Sequence, residues 1–361
     1  MEKQSGQMEN MVNKTILILG NLGYVGPELT KFLRKKYPAS KLIGYDCGFF
    51  MKNYTTKNAA PDNLLDIQYY GDVRKFDNSI LNQVDAVIAL AAISNDPIGN
   101  KFEQVTMDVN CHSLVKIAQE AKLKGVKSFV FASSCSVYGF AEEGDRTENS
   151  EVNPLTAYAK SKVQAEIELQ KVASDEFKVT CLRFATACGI SDRLRLDLVL
   201  NDFVACAIAN NKIEILSDGK PWRPLINVKD MALAMDWALT REQKDAFIVL
   251  NTGSNEWNYQ VKELALAVKE IFPSIEISIN ENAQPDKRSY KVNFDMFKKL
   301  APNHQPEYNL KHTVLDLKEG LNAINFNDKN FRNSNLIRLS VINDLIGHSK
   351  LDNELFFKRF N

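Results

Sequence analysis

The chain has 361 residues, and its 45 Lys+Arg balance 45 Asp+Glu, so the formal net charge is zero. That balance excludes a general nucleic-acid or anionic-membrane binder, because both partners need a basic field. The length suggests roughly two domains, and 45% apolar with 25% charged residues is ordinary for a soluble globular protein with a sizeable core.

Residues 1–13 lack the apolar run of a secretory signal and read as a flexible polar lead. From residue 14, short β-branched or apolar runs alternate with longer amphipathic stretches. The runs are Thr15–Leu19, Lys41–Tyr45, Ile67–Tyr70, Ala86–Leu90, Phe129–Ala132 and Val179–Leu182. Such alternation predicts right-handed βαβ units and a parallel sheet covered on both faces. After about Gly189 the pattern loosens, with a strand-like run at Phe247–Leu250 and an alternating one at Ile275–Ile279. The expectation is an α/β chain: a Rossmann-type doubly wound parallel sheet with a smaller C-terminal substrate-binding domain. The first domain is expected at 14–190 plus about 227–252, the second at 191–226 and 253–361. The last forty residues, rich in Asn and aromatics, have no assignable pattern. The longest apolar stretch, Ala86–Ile93, is far below the roughly 20 residues of a bilayer span. Six cysteines without CxxC pairs fit a reduced, cytoplasmic protein and argue against a metal framework.

The first run leads into Gly20-Asn-Leu-Gly23-Tyr24-Val25-Gly26, then a helical pattern with Pro27 in its first turn. Glycines at a strand-to-helix corner permit a tight turn and close approach to a pyrophosphate, which sits on the helix-start N–H groups. Twenty residues beyond Gly26, Asp46 ends the second run, where a carboxylate accepts hydrogen bonds from an adenosine ribose and repels a 2′-phosphate. NAD is therefore expected over NADP. The competing reading makes Asp46 a cap on the following loop. Asp72, with Val73 in Gly71-Asp-Val-Arg74, stands after the third run, placed to meet the adenine amino group.

Tyr158 and Lys162 are four residues apart in a helical stretch, hence on one face. An ammonium there favours the phenolate and lowers the tyrosine pKa, giving a usable base. The spacing alone also describes a solvated helix face. Ser133-Ser134-Cys135-Ser136-Val137-Tyr138-Gly139, closing an earlier strand, adds the hydroxyl that gives the pair meaning.

GNLGYVG, GDVR, LAA at 90–92, SSCSVYG, NPLTAYAKSK, LRFATACG and PWRPLINVKD, in this order, resemble the extended short-chain dehydrogenase/reductase family, in its NAD-dependent nucleotide-sugar epimerase/dehydratase branch. The resemblance covers about residues 14–300. It implies Ser134, Tyr158 and Lys162 as the catalytic set, with Lys162 also on the nicotinamide ribose. It implies cofactor contacts along the glycine loop and at Asp46, Asp72, Val73, Leu90, Ala91 and Ala92, with Phe184 and Ala185 beside the nicotinamide. Asn110 is assigned with this group as a residue supporting the site. For a nucleotide-diphospho-sugar it implies Arg223 as a diphosphate clamp, with Asn201, Thr186 and Arg288 as further contacts. Arg193 and Arg195 flank that loop and read either as helpers or as solvated arginines, and Trp222 either as a stacking platform or as packing. A homodimer through the helices carrying Asn110 and Tyr158 is a family-level expectation.

By the same resemblance, 4,6-dehydratases carry Asp and Glu after the catalytic hydroxyl residue, where this chain has Cys135 and Ser136. A catalytic cysteine would stand at the second position. Here it stands one residue early, and one residue along an extended segment turns a side chain to the opposite face. The expectation is an NAD-dependent, redox-neutral 4-epimerase. The alternatives are a 4-keto-sugar reductase or dehydratase-type tailoring enzyme of the branch, and a non-catalytic NAD-binding scaffold.

Overall fold

The computed structural model describes residues 11–55, 60–94, 96–141, 144–242, 244–283 and 289–358. Seven strands form the central sheet: β1 (Thr15–Leu19), β2 (Lys41–Asp46), β3 (Ile67–Tyr70), β4 (Ala86–Ala89), β5 (Ser128–Ser134), β6 (Lys178–Phe184) and β7 (Phe247–Thr252). Every neighbouring pair is parallel, in the order β7-β6-β5-β4-β1-β2-β3. β4 is buried along its whole length, as its unbroken apolar character requires of a strand covered on both faces, and β6 is buried throughout although it carries Lys178, Thr180 and Arg183. Strand order reverses between β1 and β4, so the loops leaving their C-terminal ends diverge and open a crevice. The expected Rossmann-type doubly wound sheet is therefore present.

Its helices follow from their sequences. Gly26–Lys36 carries Pro27 and Glu28 in its first turn and Arg34, Lys35 and Lys36 in its last, which suits the helix dipole. Thr156 caps Ala157–Val172 by accepting from the Ala159 N–H. Glu103–Met107 and Ser113–Leu123 are joined by one π-helical turn, Asp108–His112, that places Asn110.

A second core gathers Leu200, Val204, Leu264, Val268, Val314 and Leu317, from helices Val199–Asn210, Val261–Ile271 and Leu310–Ala323. The alternating run near 275–279 is strand Glu276–Ile279, pairing parallel with Lys212–Ile215. Three short strands, Thr186–Cys188, Trp222–Asn227 and Asn258–Gln260, make a small sheet beside the crevice. The C-terminal segment folds into helix Arg338–Gly347 and a bridge between Leu351 and Phe357. Although grouped with the second part in the sequence reading, it lies against the first: Ile342, Leu351 and Leu355 cluster with Ile93, Ile98 and Val105. Among the described residues, no helix is long and apolar enough to cross a membrane.

Candidate active site

A cleft of about 970 Å³ opens at the C-terminal ends of β1 and β4. Gly20 ends β1 with φ +86°, and a Cβ there would stand 2.5 Å from the Ala91 nitrogen, so glycine lets the loop after β4 pass against the turn. Gly26 opens the helix, where a Cβ would fall 1.9 Å from the Asn21 carbonyl oxygen. The helix has no side-chain cap. Its first N–H groups are thus available to a ligand, and Gly23, Tyr24 and Val25 line the cleft beside them. Leu90, Ala91, Ala92 and Val73 line the same cleft.

Asp46 also faces it, but its oxygens accept from the N–H groups of Leu22 (3.0 Å) and Gly48 (2.7 Å). The loop-capping reading is thus present in the geometry, and Asp46 braces the glycine turn as well. Burial raises its pKa against the lowering effect of those two bonds. Asp72 lines the cleft as well, already engaged by a neighbour. Its carboxylate is held by Arg74 through Nε (2.9 Å) and Nη2 (2.7 Å). Arg74 in turn stacks on Phe356 at 3.5 Å, so the tail covers this end of the cleft.

Tyr158, Lys162 and Ser134 meet in the cleft. Ser134 ends β5, and its hydroxyl hydrogen-bonds Tyr158. Adjacent Ser133 instead bonds Glu166, which is locked to Arg183. The expected lowering of the tyrosine pKa is corrected. Burial pushes Tyr158 up to about 12, against the lowering effect of the Ser134 bond. Burial also pushes Lys162 down to about 7. The physical reason is that both groups are desolvated and the Lys162 Nζ donates to the Ala132 carbonyl at 2.6 Å. Asn110 stands behind the site: it bonds both backbone groups of Ile93 and the Ser161 hydroxyl, tying the post-β4 loop to the Tyr158 helix.

Beyond Ser134 the chain forms a tight 3₁₀ turn, Cys135–Tyr138, in place of the extended segment assumed from sequence. Cys135 is nevertheless turned away: it is fully buried, its Sγ donates to the Arg183 carbonyl, and burial raises its pKa, so it is an inert thiol. Ser136 lines the cleft with a buried hydroxyl that has no partner among the described residues. Asp96 and Tyr290 also line it, both near enough to Tyr158 to influence charge there. Isolated in sequence, neither belonged to a motif.

Phe184, Ala185, Thr186 and Arg223 line the cleft as expected, Arg223 donating to the Trp222 carbonyl. Asn201 does not line it. Its amide is consumed by Gly189, the Tyr24 hydroxyl and the Arg195 carbonyl, holding loops together. Neither Arg193 nor Arg195 is solvated. Arg193 is buried on Asp62 and Tyr54, outside the lining, whereas Arg195 faces the cleft, paired with Asp197 and Ser94. Trp222 lies under the Lys291 ammonium, 4.8 Å from its ring centre. Arg288 lies outside the described residues.

Residues 16–253 match the NAD dependent epimerase/dehydratase family. The chain belongs to this family. It is an NAD-dependent enzyme of the epimerase/dehydratase group, and the uncapped helix and glycine cradle fit that cofactor. The uncharacterized UDP-glucose epimerase YtcB of Bacillus subtilis is 28% identical over 224 residues, covering 60% of this chain and 69% of that one. The UDP-glucose 4-epimerase of Lactobacillus helveticus is 25% identical over 294 residues, covering 75% and 86%. Among solved structures, MoeE5 in complex with UDP-glucose and NAD superposes with a TM-score of 0.72 at 20% identity, covering 85% of this chain and 98% of that one. At that identity the likeness concerns the fold.

Proposed function

We propose that the chain is a 4-epimerase of a nucleotide-diphospho-sugar, working through a 4-keto intermediate. The observation that carries this is the meeting of Ser134, Tyr158 and Lys162 in the cleft of the glycine loop, with the hydroxyl of Ser136 where a dehydratase would present a carboxylate. Bound NAD+ supplies a hydride acceptor and a positively charged ring. Tyr158 accepts the proton of the sugar 4-hydroxyl while the C4 hydride leaves, and Ser134 holds the oxygen that becomes the carbonyl. Lys162, on the same helix face and 5.6 Å from the Tyr158 ring centre, orients the ribose, and the positive charge that NAD+ would bring to the cleft offsets the burial that holds the Tyr158 pKa up. After the keto sugar turns over, the hydride returns to the opposite face and Tyr158 gives the proton back. The reaction is redox neutral. Arg223 supports the substrate diphosphate, where a guanidinium donates two parallel hydrogen bonds. On this reading residues 14–190 with about 227–252 hold NAD, 191–226 and 253–361 supply the nucleotide-sugar contacts, and the protein works as a homodimer.

Asp96 favours a second reading, an elimination in the manner of the dehydratases, because a carboxylate lining the cleft near Tyr158 can remove or deliver a proton at a neighbouring carbon. The test incubates pure protein with UDP-, dTDP-, GDP- and CDP-hexoses and follows C4 configuration by NMR. Inversion at C4 without net change in NADH is expected. A 4-keto-deoxy product establishes the second reading, and consumption of added NADH with a reduced sugar overturns both.

A further inference from the structure

Arg338 opens the C-terminal helix and lines the cleft, yet it is only 3% exposed. Its guanidinium lies 4.2 Å from the Phe50 ring centre, and Nη2 donates to the Arg193 carbonyl at 2.9 Å. Among the described residues, Nη1 is buried without a partner. The carboxylate whose charge acts on it, Asp197, already accepts twice from Arg195. Burial, with the like charges of Arg195 and Arg193, pushes the Arg338 pKa down to about 9. A buried cation with an unused donor edge is costly unless an anion meets it. The surroundings say which anion. Phe50 belongs to the loop after Asp46, and Tyr24, close enough for its charge to act on Arg338, belongs to the glycine turn. Both belong to the cofactor half of the chain, whereas Arg223 belongs to the small three-stranded sheet.

We propose that Arg338 is a cofactor-binding residue whose unused guanidinium edge closes on the NAD diphosphate, adding a side-chain cation to the N–H groups of the glycine loop. The C-terminal segment, anchored by Ile342, Leu351 and Leu355, thereby becomes part of the cofactor site. This rests on NAD as the cofactor, and the test separates the two. Full-length protein is titrated with NADH by fluorescence, and the bound NADH is displaced with ADP-ribose or with adenosine, which lacks the diphosphate. Arg338→Met keeps the packing on Phe50 and is expected to weaken ADP-ribose about tenfold or more, leaving adenosine unchanged, as for loss of a charge-assisted bond. Arg338→Lys should recover part of the loss. Equal weakening of both ligands, or none, overturns the assignment. So does a loss confined to UDP binding by the NAD-loaded chain, which would place the cation on the substrate. Failure of the wild type to bind NADH overturns the cofactor instead. Should the Met variant not fold, hydrogen exchange in the wild type decides: ADP-ribose, but not adenosine, should slow the amides of residues 338–347, and equal or absent protection counts against Arg338.

Discussion

Tyr158 and Ser134 show how the chemistry turns on single atoms. Tyr158→Phe removes one hydroxyl from a buried ring, so turnover should fall by roughly 10²–10⁴, while the melting temperature and bound NAD are kept; an active variant would remove Tyr158 from the mechanism. Ser133 and Ser134 differ by one residue, yet only Ser134 bonds Tyr158, while Ser133 serves Glu166. Asp230 allows a test by pH. It is 3% exposed and accepts from the Glu307 and Tyr308 N–H groups, but burial raises its pKa from 3.8 to about 6. A raised carboxyl favours the fold while protonated, below the unfolded value, and that contribution is lost as pH rises through about 6. Between pH 4 and 7 the wild type should therefore lose about 3 kcal/mol relative to Asp230→Asn. Urea unfolding at several pH values measures it, and a pH-independent difference would refute the burial argument.

At the scale of elements, helix Ala157–Val172 presents Tyr158, Lys162 and Glu166 along one face, each serving β5: a bond to Ser134, a bond to the Ala132 carbonyl, a bond to Ser133. The four-residue spacing is legible in the sequence, but which strand the face meets is not. The glycine loop is equally local. Gly26→Ala should abolish NAD binding or the fold, because the clash is with backbone that has no room to yield; a soluble variant with normal NADH affinity would contradict this. The C-terminal segment is the opposite case. Its apolar residues follow no period, and their partners Phe49, Ile93 and Ile98 lie more than two hundred residues earlier in the chain. Leu355→Ala, at a site 1% exposed, should cost roughly 2–5 kcal/mol, read by urea denaturation, and should loosen NADH binding.

Over the whole molecule, two cores meet at the cleft. Asp236 helps join distant parts, receiving Lys36, Tyr37 and His304. Because the cofactor site is assembled from the glycine loop, the post-β4 loop and the tail, binding should stabilise the fold as a unit. NAD at a hundred times its Kd should add about 2.7 kcal/mol, seen as a rise in melting temperature that grows with the logarithm of concentration. A melting temperature indifferent to NAD would mean that these loops do not form one site.

The sequence by itself determined the parallel sheet, the glycine cradle and the Tyr158–Lys162 pair, because each depends on local periodicity or on residues a few positions apart, whereas Ser134 joined them only through the resemblance to a family. Only the tertiary structure decided what long-range packing controls. It moved Asn201 out of the cleft. It turned Cys135 toward a backbone carbonyl, and it brought Asp96, Tyr290 and Arg338 to the cleft. Such assignments depend on which groups compete for each hydrogen bond once water is excluded, and those competitors come from distant parts of the chain.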